Sequence, residues 1–70
     1  MFYVIELQTN GSEGNYLVTA KETRDEAMST YHSVLAAAAV SAIERHACIV
    51  IDDRGTRIAN ECYEHGEQEL

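Results

Sequence analysis

The sequence predicts a single α+β domain of order ββαββ, with one helix packed on one face of a four-stranded, largely antiparallel sheet. Two observations predict this fold. Segments rich in aromatic and β-branched residues lie near both ends of the chain, and the middle carries apolar residues at helical spacing. At 70 residues the chain has room for one small core. Such a core is marginal, so we also expect self-association.

The first two strands are predicted to form a hairpin. Residues 2–8 have strand composition, and residues 16–19 resume it after a segment of turn-forming residues. Because that intervening segment spans residues 9–15, the expected hairpin has a long loop.

The helix is predicted to begin at Thr23. Glu26 follows three residues later, which is the capping-box spacing, and apolar residues then recur at helical intervals. We expect the helix to end between Val40 and Glu44. Its buried stripe is predicted to contain Ala27, Met28, Tyr31, Val34, Leu35, Ala38 and Ala42.

A second hairpin is predicted to follow the helix. Residues 47–51 form a continuous apolar run, the next four residues (DDRG) are a turn signal, and residues 56–62 form the return strand. The domain is expected to span residues 1–63, followed by an acidic tail at residues 64–70.

One helix covers one face of a sheet, so the other face is left for a partner. We expect Phe2, Val4 and one half of residues 47–51 to lie on the uncovered face. A contiguous apolar patch of this kind usually marks a contact with another chain. We expect the patch to be covered by homodimerisation through this face, or the chain to self-associate through the small-residue helix face at residues 36–39.

Composition restricts the partners. Twelve acidic against five basic residues give a net charge of −7, which repels phosphate backbones, so we expect no direct nucleic-acid partner. The chain shows no signal-peptide pattern and no apolar run of membrane-spanning length. With only two cysteines, it is predicted to be cytoplasmic, with no membrane partner.

Four residues form a weak metal-site candidate. His46 with Cys48, and Cys62 with His65, would supply two nitrogen and two sulfur ligands, a set suited to zinc. However, Cys48 lies in an apolar run, where a cysteine usually behaves as a small buried hydrophobe. We therefore predict no metal and no cofactor.

The sequence shows no catalytic constellation, so we predict that the protein is not an enzyme. The candidate ligand-binding residues are Lys21, Arg24, Tyr31 and His32, because the helix start near Lys21 and Arg24 offers free backbone donors to an anion. The alternative for His32 is a partly exposed helix histidine with no ligand.

Three segments, FYVIELQT, YHSVLAAAAVS and ECYEHGE, resemble a family of very short uncharacterised proteins encoded by phages and prophages of Gram-positive bacteria. The resemblance covers most of the chain. It implies a location in the host bacterial cytoplasm and a role as a counter-defence factor or a minor part of the particle.

Three functions are compatible with these observations. The first, which we favour, is a homo-oligomer that sequesters a small anionic host signalling ligand of nucleotide type, with Arg24, Tyr31 or His32 near a pocket between subunits. The net charge opposes such a ligand, which local arginines would have to hold.

The second is an acidic inhibitor that docks on a nucleic-acid-binding host defence protein. It predicts that Glu6, Glu61, Glu64 and Glu67 cluster on one exposed face. The third is a structural or assembly component of the phage particle, which predicts high-order oligomers and no ligand.

Overall fold

The computed structural model describes residues 1–65 and confirms the predicted α+β fold, a four-stranded antiparallel sheet with one helix. The sheet order is β2-β1-β3-β4, so the two hairpins join side by side through their inner strands. The elements are β1 (Phe2–Asn10), β2 (Glu13–Lys21), α1 (Arg24–Ala39), β3 (Arg45–Asp52) and β4 (Arg57–Glu64).

The first hairpin turns far more tightly than predicted. Asn10 pairs with Glu13, so only Gly11 and Ser12 form the turn in place of the expected loop at residues 9–15. Gly11 has a φ of +60°, which glycine adopts without the steric cost of a side chain. Because Gly11 alone supplies this conformation, the polar residues on either side remain in the ladder and lengthen both strands.

Helix α1 begins as predicted, since the Thr23 hydroxyl accepts a hydrogen bond from the backbone N–H of Glu26 at 3.2 Å. It ends at Ala39, just before the expected range. Val40 has left the helical conformation, and its N–H bonds the carbonyl of Ala37 at 3.3 Å. Ala42 therefore lies beyond the helix and is exposed instead of being buried.

The second hairpin is confirmed, with both strands longer than predicted. Its turn is organised by Asp52, whose carboxylate accepts hydrogen bonds from the backbone N–H groups of Arg54 and Thr56, both at 2.9 Å. Ile58 is unpaired in a bulge between the Val50 and Ile51 rungs. Strand β4 includes Glu64, which was assigned to the tail, and residues 66–70 of that predicted tail lie outside the described residues.

The prediction of which sheet face is covered was wrong. Val4 is 2% exposed and belongs to the core beneath the helix, and Phe2 packs against that core. The core combines Val4, Cys48 and Val50 from the sheet with Ala27 and Tyr31 from the helix. Met28, Val34 and Leu35 of the predicted stripe pack at its edge. The uncovered face therefore carries the residues that lie between these core-facing ones along each strand.

Candidate functional site

The side of the sheet away from α1 is almost entirely apolar. Residues that pair directly across strands share a face, so the register identifies its members. We call this surface the open face; it consists of Tyr3, Ile5 and Leu7 of β1, Tyr16, Val18 and Ala20 of β2, Ala47, Ile49 and Ile51 of β3, and Asn60 and Cys62 of β4. Asn60 is the polar member of its interior, and Thr9, Gly14, Arg45 and Glu64 continue the face at one end.

Much of the open face is accessible to solvent. Tyr16 is 76% exposed, Val18 48% and Leu7 42%, and the remaining large side chains are partly exposed. A monomer rarely leaves a contiguous apolar patch of this extent uncovered, and such patches usually mark interaction sites. The open face is therefore the principal candidate surface for binding.

Charged residues lie only at the two ends of the open face. Arg45 pairs with Glu64 at one end, with their side chains 4.0 Å apart. Arg57 lies at the other end, opposite Ile51. These three side chains sum to +1, whereas the ten acidic and five basic residues within residues 1–65 sum to −5. Among the acidic residues of the described strands, Glu64 alone has a register position on the open face.

A second candidate is a polar network under the segment that follows α1. His46 is only 3% exposed, and its Nε2 lies 2.5 Å from Oε2 of Glu6 on the neighbouring strand. The other ring nitrogen, Nδ1, lies 3.1 Å from the hydroxyl of Ser41. Gln8 also donates to Glu6 Oε2, at 2.9 Å. Ser41, His46 and Glu6 therefore form one continuous hydrogen-bonded chain.

The network changes the protonation behaviour of Glu6. Partial burial alone would raise the pKa of its carboxyl, but the hydrogen bonds from His46 and Gln8 and the charge attraction to His46 together outweigh burial and bring the pKa below its ordinary value. Glu6 is thus held as a carboxylate.

The four metal-site candidates do not come together. Cys48 is buried on the helix side of β3, whereas Cys62 lies on the open face of β4. His46 is bound to Glu6, and the His65 ring donates from Nε2 to the Ala38 carbonyl at 2.9 Å. Within residues 1–65, no group of three potential metal ligands is assembled.

The four ligand-binding candidates lie at the end of β2 and within α1. Lys21 ends β2, and Arg24 is an exposed residue at the start of the helix. Tyr31 is 5% exposed and belongs to the core, whereas His32 is exposed, with its ring centroid 5.3 Å from that of Tyr31. Arg24 is two helical turns, roughly 10 Å, from Tyr31. The structure leaves Lys21, Arg24 and His32 accessible and does not bring them into one cluster with Tyr31.

The acidic residues expected to form one face are divided. Glu6 and Glu61 lie on the helix side of the sheet, both in the rung of Cys48, and Glu6 is occupied by His46. Glu64 lies at the end of the open face, and Glu67 is outside the described residues.

The sequence reasoning missed the pairing of Glu6 with His46. The sequence contained a signal for it, because Glu6 lies two residues after Val4 and must therefore lie on the same side of β1. Any sheet that buries Val4 must also bring Glu6 towards the core, where a carboxylate needs a donor. His46 occupies the equivalent position two residues before Cys48.

Comparison with protein-family models, with curated proteins and with solved structures finds no match to this chain. The described part of the chain contains no helix that is both long enough and apolar enough to cross a membrane. The evidence for the candidate sites therefore comes from the geometry of this molecule alone.

Proposed function

We propose that this protein is a non-enzymatic binding module whose binding surface is the open face. The observation that carries this proposal is the apolar character of the central open-face positions of β1, β2 and β3, on the side away from the helix. Apolar burial is the main source of affinity in protein association, and a face of this kind offers it without any rearrangement of the chain.

The absence of a recognisable pocket among residues 1–65 favours a flat contact over the binding of a small molecule by one chain. A flat apolar sheet face fits a macromolecular surface better than a small solute. Sequestration of a nucleotide-type ligand in a phage counter-defence role stays a prediction. Its remaining support is the resemblance and the accessibility of Lys21, Arg24 and His32 near the start and middle of α1.

Two neighbouring residues of β2 allow a matched test. Val18 lies on the open face and Leu17 on the helix side, and both are exposed, at 48% and 62%. The immobilised protein and its Val18→Glu and Leu17→Glu variants are incubated with extract of bacteria that also express the wild-type chain, and retained species, a second copy of the chain included, are identified by mass spectrometry. We expect retained species that Val18→Glu loses and Leu17→Glu keeps. Retention that depends on Leu17 and not on Val18 would place the binding surface elsewhere.

A second candidate function, hydrolysis at Ser41, has one observation in its favour. Ser41, His46 and Glu6 have the connectivity of a nucleophile, a base and an orienting carboxylate. Two observations weigh against it: residues 1–65 enclose no pocket beside the serine, and the Ser41 oxygen already accepts the backbone N–H of Ile43 at 3.1 Å.

A fluorophosphonate probe tests this second candidate. A reactive Ser41 would bond to phosphorus through its oxygen, release fluoride and pass its proton to His46 Nδ1. Labelling that disappears in Ser41→Ala and persists in Ser33→Ala, an exposed serine of the helix, would favour hydrolysis. We expect no labelling, since the binding function needs no nucleophile.

A further inference from the structure

We propose that the open face is covered by a second copy of this chain, in a two-fold symmetric homodimer with sheet packed against sheet. The inference rests on the proposed function, since it names the partner of the same surface. Of the two surfaces that the sequence offers for self-association, this dimer uses the sheet face and not the alanine-rich face of α1.

The size of the core is the first argument. Within residues 1–65 the fully buried large side chains are few, with Val4 and Val50 prominent among them. The open face carries more large apolar side chains than that buried set, among them Tyr3, Ile5 and Ile49. A small domain with such a core commonly gains its missing apolar burial by oligomerisation. A second copy is the one partner present wherever this protein is made.

Charge is the second argument, and it selects the partner. In a two-fold contact, residues near the axis meet their own copies, so any charge there would face a like charge. The interior positions of the open face hold no charged residue, although Arg57 at one end reaches along β4, where its Nη1 donates to Asn60 Oδ1 at 3.1 Å; the end residues sum to +1. The other charged residues within residues 1–65, three basic and nine acidic, sum to −6. Two acidic copies can thus meet on the open face without close repulsion, whereas a basic partner would be drawn to the helix side.

The available area is the third argument. Four strands at about 4.8 Å spacing and about nine residues at 3.4 Å give a face of roughly 19 by 30 Å, or about 570 Å² in projection. Accessible area exceeds the projected area, because side chains such as Tyr16 stand away from the sheet. The surface therefore approaches the roughly 800 Å² per partner of a standard stable interface. Two such faces pack about 10 Å apart with interdigitated side chains.

Sedimentation equilibrium of the purified protein at micromolar concentration tests the proposal without any host component. We expect wild type and Leu17→Glu at twice the chain mass of 7.8 kDa, and Val18→Glu at 7.8 kDa. Since each dimer would bury two unpaired carboxylates, Val18→Glu should weaken dimerisation by about 100-fold or more. A monomeric wild type, or a dimer that Leu17→Glu disrupts and Val18→Glu does not, overturns the proposal.

A second measurement needs no variant to fold. Labelled and unlabelled wild-type chains are mixed to form dimers with one chain of each kind. These dimers should give intermolecular NOEs between the methyl groups of Ile5 in one chain and Ile49 in the other. A dimer whose intermolecular NOEs involve α1 instead overturns the proposal. If the purified protein is monomeric while extract species still require Val18, the partner named here is wrong and the proposed function stands. If the purified protein is monomeric and no extract species requires Val18, both the homodimer and the proposed binding function are wrong.

Discussion

His46 Nε2 lies 2.5 Å from Glu6 Oε2, and this contact joins β3 to β1 beside the segment that follows α1. The pair is separated by 40 residues in sequence, and Ser41 completes the chain from the other side of the ring. All buried side-chain nitrogen and oxygen atoms among the described residues have hydrogen-bond partners. The network thus satisfies the polar end of an otherwise apolar core.

Replacement of Glu6 by Gln should lower stability and change its pH dependence. The pKa of Glu6 lies below its ordinary value of 4.5, so its contribution is complete above that value and is lost as pH falls through the folded-state pKa. At neutral pH we expect a loss of about 1–2 kcal/mol, since a charge-assisted hydrogen bond becomes a neutral one. Urea unfolding between pH 7 and pH 3 measures both effects.

The control for Glu6 is Glu13→Gln, which changes an exposed glutamate next to the first turn. This variant should keep the wild-type loss of stability on acidification. If Glu6→Gln kept the same acid dependence as wild type, the stabilising role assigned to the Glu6 carboxylate would be wrong.

Cys48 should resist alkylation in the folded protein. Burial raises the pKa of its thiol to about 11, with the Glu6 carboxylate adding to the effect. At pH 8 the reactive thiolate is then on the order of one part in a thousand, and the side chain is also only 1% exposed. In Cys62→Ser, iodoacetamide should leave the native protein unmodified and add one carbamidomethyl group in urea, as read by intact mass. Rapid native labelling would contradict the buried placement.

Glu44 should hold the first turn against the segment after the helix. Its backbone N–H donates to Asn10 Oδ1 at 2.9 Å, and its carboxylate accepts the N–H of Gly11 at 2.7 Å. We expect Glu44→Ala to speed amide exchange at Gly11 by about 10-fold, the equivalent of roughly 1.4 kcal/mol for one hydrogen bond. Glu22→Ala, an exposed residue before the helix, is the control. Equal protection of Gly11 in both variants would show that this link does not form.

Thr23→Ala should destabilise the protein by about 1 kcal/mol, because it removes the acceptor for the Glu26 N–H at the start of α1. Thermal unfolding by circular dichroism checks the effect. Thr23→Ser should restore most of the loss, since serine keeps the capping oxygen. An unchanged midpoint in Thr23→Ala would mean that water replaces the cap at no cost.

Local sequence signals were sufficient for the type and order of the elements. The capping box at Thr23 and Glu26 placed the helix start, and β-branched runs placed all four strands. The hairpin loop was overestimated because turn-forming residues such as Asn10 and Gly14 also pair in strands when one glycine makes the turn. For the candidate site, the sequence predicted an uncovered apolar face but assigned Phe2 and Val4 to it, and these residues lie on the covered face.

The sequence by itself determined that each strand has two distinct faces, because alternate side chains must point to opposite sides of a sheet. Only the tertiary structure decided which face the helix covers. The face with Val4 also carries Glu6, and a carboxylate can lie beside the core only where a donor meets it. That donor is His46, which the pairing of β1 with β3 brings across 40 residues of sequence. The face whose central positions in β1 to β3 are apolar needs no such donor, and it is the one left open.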